Sequence, residues 1–448
     1  IRDGIDTFLN NSLNPLSSHL IVYSSGKLGH LIRETESKKV ITGLSQIKEV
    51  ISKNIQKIIV DLLFRKSEGL ILARKLSSTE DSGSSNIDSI LNLVDYVNPS
   101  RSTFQQLPLP YYYKKLFSGT SHVSSEFWVG MKNELTQAST ALKRYGAGFS
   151  GGILIIGERN CGKSTLSRII ALKHFNKNRI YILKAGKEAT SNIEIFEESV
   201  RNSFGINGSV EEIFQSIPPN SVVIINDLEL WWNRSEDGFN VIDMILNLIS
   251  KYSGRILFIV NCSVQSFRLI NQIKRINDLF ISIIHCEPFD AEDLKNIIIL
   301  RHSSSGMKFK LGGSEEDSLS ELSKATLFNS YFNYSKGNVG VALNTWLNHI
   351  INVDENVITI TSPVEPDISM LEKLDIEWLV YLAQIILHRR LSIKSLTKLM
   401  MNDEEHNLKV VASLLRAGLI VEKIEKIYGI NTFIEPYITK ILEKKELL

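Results

Sequence analysis

Cysteine is scarce: Cys161, Cys262 and Cys286 are the only three in 448 residues. An odd, sparse set with no metal-ligand spacing argues against a disulfide-stapled scaffold and fits a reducing, cytoplasmic compartment. Neither sign of charge dominates. Lysine plus arginine number 51 against 49 aspartate plus glutamate, a net charge of +2, so bulk charge gives no argument for nucleic acid or an anionic membrane. No apolar run reaches the roughly 18 residues of a membrane helix. "GGILIIG" and "RILFIV" are far shorter and read as buried strands. A signal-peptide pattern is missing too. The sequence opens on Ile1 rather than methionine. We expect it to be a fragment of a longer protein, which leaves room for an upstream membrane tether.

Apolar content of 43% and charged content of 22% are those of a globular chain. At roughly 150 residues per domain, the length suggests about three domains. Five segments are expected. Residues 1–106 form a mainly helical N-terminal region, from apolar spacing such as "ITGLSQIKEVISKNIQKIIVDLLF", with a polar loop at Ser77–Asn86. Residues 107–124 form a linker, where "LPLPYYYKKLFSGT" reads as an extended connector laid on a surface. Residues 125–290 alternate strands and helices. Continuous apolar strands such as "GILIIG", "SVVIIND" and "RILFIVN" between helices indicate a parallel sheet covered on both faces. Residues 291–370 are a helical lid, all-helical to about 350. Residues 371–448 show three helical patterns and two β-type runs, "LIVEKI" and "IYGINTFI", the pattern of a winged helix.

The stretch "GERNCGKS" fits G-x-x-x-x-G-K-S: Gly157, Glu158, Arg159, Asn160, Cys161, Gly162, Lys163 and Ser164, followed by Thr165. Glycines let the backbone curl so that its N–H groups point at phosphate oxygens, and the helix that follows aims its N-terminus at the same charge. Lys163 is expected to reach the β- and γ-phosphates, and the Ser164 hydroxyl to ligate Mg²⁺. ATP and Mg²⁺ are thus the expected cofactors. Cys161 reads as a small loop residue rather than a redox switch. A metal site also needs a carboxylate at a neighbouring strand end, and "SVVIINDLELWW" offers two registers. In one, Asp227 joins the metal shell and Glu229 is the base. In the other, Asn226 takes the metal position and Asp227 activates water. Asp227 is essential in both. Of Trp231 and Trp232, one is expected to pack on the core and the other to be exposed as a partner surface.

Together these motifs resemble an AAA+ ATPase, more narrowly the clade joining origin-recognition and STAND signalling ATPases. The likeness spans about 125–448. "FWVGMKNEL" is similar to the "F-V-G-R-E-x-E-L" box that packs on adenine, so the resemblance assigns Phe127 and Val129 to the nucleotide, with Met131 standing where the family has arginine. It places Asn261 of "RILFIVNCS" at the polar sensor 1 position and Arg275 of "IKRINDLF", beside Lys274, as a candidate arginine finger acting across a subunit interface. "SKGNVGVALNTW" resembles the lid motif G-N-x-x-x-A-L. Origin-recognition proteins carry a sensor 2 arginine there; this chain has Gly340 and Val341, closer to the STAND pattern.

The resemblance implies an ATP-binding protein: a slow Mg²⁺-dependent ATPase acting as a nucleotide-controlled switch or motor. Two alternatives stand beside it, a DNA-associated loader of the replication-initiator or transposition type and a hydrolysis-deficient scaffold. ATP and ADP, protein partners and a nucleotide-dependent homo-oligomer are the expected partners. DNA is not favoured. In "DEEHNLKVVASLLRAG", Lys409 and Arg416 face Asp403, Glu404 and Glu405, and in the wing Lys423 and Lys426 face Glu422 and Glu425. A DNA-reading helix normally shows a basic excess.

Overall fold

The computed structural model describes residues 107–117, 127–365, 368–369 and 371–448, all within one compact unit, Val60–Leu448. The helices expected within 1–106, the loop at Ser77–Asn86 and the rest of the linker lie outside the described residues.

Pro110 caps the first helix, α1 (Tyr111–Phe117), its carbonyl accepting from the Lys114 N–H. Tyr113 and Phe117, four residues apart, share one face and are fully buried. The expectation of an extended surface connector is corrected here. Tyr113 accepts a hydrogen bond from Trp346 Nε1 at 2.8 Å and shares another with His302 Nδ1 at 2.9 Å. Proline at a helix start and an aromatic pair with a core to enter explain the helix.

Next come α2 (Lys132–Gly146), β1 (Gly152–Gly157), α3 (Lys163–His174), β2 (Ile180–Leu183), α4 (Ile193–Phe204), α5 (Val210–Ser216) and β3 (Ser221–Ile225). They continue with α6 (Asn240–Tyr252), β4 (Ile256–Ser263), α7 (Val264–Lys274) and β5 (Phe280–His285). The five strands are parallel in the order β2-β3-β4-β1-β5. Alternate residues enter two separate cores. Ile153, Ile155, Val222, Ile224, Leu257 and Ile259 face one; Leu154, Ile156, Val223, Ile225, Phe258 and Val260 face the other. Helices cover both faces, which is why these strands lack a polar side. Because β1 neighbours β4 rather than β2, the chain changes direction across the sheet there. A crevice opens at the carboxyl ends of such strands.

The segment after the sheet runs α8 (Ala291–Ser304), β6 (Lys308–Leu311), β7 (Ser314–Glu315), α9 (Glu321–Ser335), α10 (Val339–Asn348), β8 (Ile350–Asp354) and β9 (Val357–Ile360). It is mainly helical, but a four-stranded sheet ordered β7-β6-β9-β8 corrects the expectation that 290–350 is all helix. These strands are two to five residues long and partly polar, too short to show a period.

The C-terminal segment is α11 (Ile376–His388), β10 (Leu391–Ser392), α12 (Ile393–Met400), α13 (Glu404–Arg416), β11 (Ile420–Ile424), β12 (Ile427–Ile430) and α14 (Glu435–Lys444). Its strands form an antiparallel sheet ordered β10-β12-β11. It has its own core, which takes in Leu230 and Ala189 from the parallel-sheet segment. Both tryptophans are buried, which corrects the expectation of one exposed ring: Trp231 is 0% and Trp232 1% accessible. Trp231 meets Phe196 edge-on at 5.1 Å, and Trp232 stacks on His388 of α11 at 4.4 Å. The C-terminal segment covers the surface the second ring would otherwise present. Among the described residues, no helix is long and apolar enough to cross a membrane.

Candidate nucleotide site

The loop between β1 and α3 carries the G-x-x-x-x-G-K-S residues at the carboxyl end of a central strand. Asn160 (φ 60°) and Gly162 (φ 104°) curl it back to the start of α3. At Gly157 a Cβ would lie 2.7 Å from Cys161 Sγ and 2.9 Å from Cys286 Cβ, so only glycine fits. Lys163 is buried. Its ammonium donates to the carbonyls of Gly157 at 2.9 Å and Glu158 at 2.8 Å, which ties the loop around the charge. Ser164 is exposed at the helix start and Thr165 half-buried. Cys161 is buried, and a hydrogen bond to Cys286 lowers its thiol pKa from the ordinary value.

At the end of β3, Asp227 sits at φ 56° and Glu229 in the short turn Leu228–Leu230. Glu229 is 3% accessible. Burial raises its pKa, while Lys163 oppositely charged nearby pulls it down. Its carboxylate accepts from the Ser263 N–H at 3.2 Å. Asn261, fully buried in β4, joins the two halves of the site. It accepts from Ser167 of α3 at 2.7 Å and donates to Asn226 Oδ1 at 2.6 Å. Asn226 therefore already holds a neutral donor on its carbonyl oxygen.

Two further elements close on this crevice. From α10, the Asn338 side chain donates to the Arg159 carbonyl at 2.8 Å, and the Gly340 N–H to the Asn160 carbonyl at 3.1 Å. A Cβ at Gly340 would lie 2.5 Å from Asn160 Cβ, so no side chain fits there. From the C-terminal segment, Glu435 pairs with Arg159 at 2.9 Å. The Arg389 guanidinium pairs with Asp227 and lies 3.4 Å from Glu229. The cavity bounded by Arg159, Asn160, Asn338, Val341 and Glu435 measures about 20 Å³. That is room for one water, in a gap beside the loop that Lys163, Ser164 and Asp227 do not line.

The structure thus gathers Gly157 to Thr165, Asp227, Glu229 and Asn261. Val129 packs partly buried against the core, and Met131 reaches within 3.0 Å of a Cβ position on Gly162. Phe127 is half-buried just ahead of it. Arg275 stands apart. It is exposed, at φ 49°, shortly before the start of β5, and that start pairs with Gly152 at the opposite end of β1 from the loop. Sequence reading missed Arg389, Arg390 and Glu435. Their one signal was the adjacent pair in "LHRRLS", two arginines straight after an apolar helix.

The site's oxygen chemistry fits the expected groups. Mg²⁺ takes one or two carboxylates plus substrate phosphates and water rather than a protein cage. Among the described residues no cluster of three or more His, Cys, Asp or Glu could hold a metal. Ser164, at the start of α3, and Asp227, after β3, are hard oxygen donors, and Asp227 already faces a cation.

Parallel strand order and a glycine-lysine loop after β1 give an α/β core with the expected phosphate-loop residues at the carboxyl end of a central strand. No family model and no curated protein matches the sequence. Among solved structures, the chain is similar to the Thermotoga maritima RuvB Holliday junction branch migration motor, with 16% identity over 72% of this chain and 98% of that one, TM-score 0.36. It is similar to the Aeropyrum pernix ORC2 protein in its ADP form, with 15% identity over 74% and 98%, TM-score 0.41. A Walker-type ATPase of Pyrococcus abyssi gives 13% identity over 73% and 99%, TM-score 0.38.

Proposed function

We propose that this chain binds ATP with Mg²⁺ and hydrolyses it slowly, as a conformational switch. One observation carries the reading. The lid segment and the C-terminal segment both bond directly to the phosphate-type loop, through Asn338, Gly340 and Glu435. A nucleotide that reshapes this loop on binding would shift these contacts, so its binding energy would be coupled to the position of both segments. Lys163 and the loop N–H groups would hold the β- and γ-phosphates; Ser164 and Asp227 would hold Mg²⁺, which would neutralise charge on the transferring phosphate. Asp227, or Glu229 from its buried position, would polarise the attacking water. The antiparallel sheet and helices of 371–448 we read as a winged helix, the element that reports closure.

The test pairs fluorescent ATP titration with limited proteolysis, using wild type and Lys163→Ala. Binding that depends on Lys163 and changes the cleavage pattern across 291–448 supports the switch. Binding without any change in cleavage would leave only a scaffold.

A further inference from the structure

Where the lid meets the loop, positions 340 and 341 offer this site no cation. Gly340 stands against Asn160 with no room for a side chain, and Val341 is buried. Cations come instead from the C-terminal segment. Arg389 lies at the apex of a tight turn, φ 64° and ψ −44°, closed by the Arg390 N–H donating to the His388 carbonyl at 2.7 Å. This is the rare, strained form of the three-residue turn, and for a residue other than glycine it persists only where its surroundings over-determine it. What it achieves is to aim Arg389 at Asp227 and Glu229.

Three guanidiniums converge here. Arg159 and Arg390 both repel Arg389, and Arg159 repels Arg390. Two donors in the cluster, Arg159 Nε and Arg390 Nε, are buried with no hydrogen-bond partner. Crowded cations with donors left over fit a multiply charged anion with several acceptor oxygens.

We propose that Arg389 is the residue by which this site reads the terminal phosphate of a nucleoside triphosphate, with Arg390 beside it, the C-terminal segment supplying the cation that positions 340 and 341 do not. The inference rests on the nucleotide-binding reading above. With a triphosphate bound, the guanidinium exchanges the Asp227 carboxylate for phosphate oxygens. Asp227 is then freed for its own role, and the C-terminal segment is held according to whether the third phosphate is present. A diphosphate offers Arg389 nothing, and the carboxylate pairing stays.

The experiment measures affinities for fluorescent ATP and ADP by titration in wild type, Arg389→Gln, Arg389→Lys, Arg390→Gln and Lys163→Ala, with circular dichroism confirming that each variant folds. Wild type should prefer ATP by about tenfold or more, the size of a charge-assisted contact. Arg389→Gln should bring the ratio close to one by weakening ATP while leaving ADP unchanged. Arg389→Lys should fall between, since a lysine keeps the charge without the fork. Should Arg389→Gln fail to fold, the lysine variant and Arg390→Gln read the same ratio. An unchanged ratio overturns the inference while leaving nucleotide binding intact. Tighter binding of both nucleotides overturns it too, because Arg389 would then only block the site. If wild type binds neither nucleotide, or Lys163→Ala binds both as well as wild type does, the nucleotide reading itself falls and takes this inference with it.

Discussion

Arg389 and Asp227 face one another across two segments of the fold, and both main chains are in positive-φ conformations, 64° and 56°. An aspartate tolerates that region because its short side chain bonds locally; an arginine does not. The pairing ties the end of β3 to the turn after α11. It leaves Arg389 within 3.4 Å of Glu229, a carboxylate with almost no access to water.

Hydrolysis should need Asp227. Phosphate release by Asp227→Asn and Glu229→Gln, compared with wild type, distinguishes the two registers. Loss in both places Asp227 at the metal and Glu229 at the water. Loss in Asp227→Asn alone makes Asp227 the water-activating group. Full activity in Asp227→Asn would refute both registers.

Nucleotide affinity should collapse in Lys163→Ala. Its ammonium is the buried charge inside the loop, held by two carbonyls. Removal leaves phosphate charge uncompensated, a loss of about 2 kcal/mol or more, some thirtyfold in affinity. Fluorescent ATP titration reads this directly, and equal affinities would rule the assignment out.

Gly340→Ala should loosen the contact between α10 and the loop. The new methyl would meet Asn160 Cβ at 2.5 Å, and one of the two backbones must shift. The expected cost is about 1–3 kcal/mol, seen as a lower Tm and faster proteolysis after α10. An unchanged Tm would show that the loop and α10 are not in contact in solution.

Stability should fall as pH drops from about 7 to 5. Burial holds His302 and His388 down to about 4, from an ordinary value of 6.5. Each is neutral in the folded chain and takes up a proton in the unfolded one between those values. The unfolded state therefore binds more protons, and stability is full above 6.5 and lost as pH falls towards 4. At pH 5 the loss reaches up to about 2 kcal/mol for each histidine. Denaturant midpoints across that range should show the slope, and His388→Gln should flatten it. A pH-independent midpoint would contradict the buried, neutral state of both.

Residues 371–448 should bind duplex DNA weakly at physiological salt. Lys409 is paired with Glu405, and Asp403, Glu404 and Glu405 lead α13. Few net cations can neutralise phosphates, so both affinity and salt slope should be small. Anisotropy of a labelled duplex with the whole chain, with and without ATP, measures it. Tight binding with a steep salt slope would promote the DNA-loader reading.

The sequence by itself determined the local parts of the site. "GERNCGKS" needs its glycines for the curl and its lysine for the charge, and an apolar strand before and a helical period after place it without any tertiary knowledge. Continuous apolar strands likewise announced a sheet buried on both faces. Asp227, Glu229 and Asn261 were legible because each ends an apolar run. What the tertiary structure alone decided were contacts between segments distant along the chain. Arg389 meets Asp227 from 162 residues away and Glu435 meets Arg159 from 276; no period or spacing encodes such a pairing. The burial of Trp232 and of Tyr113 was hidden for the same reason. An aromatic ring is equally at home on a partner surface or in a core, and only the arrival of His388 in one case and Trp346 in the other decides between them.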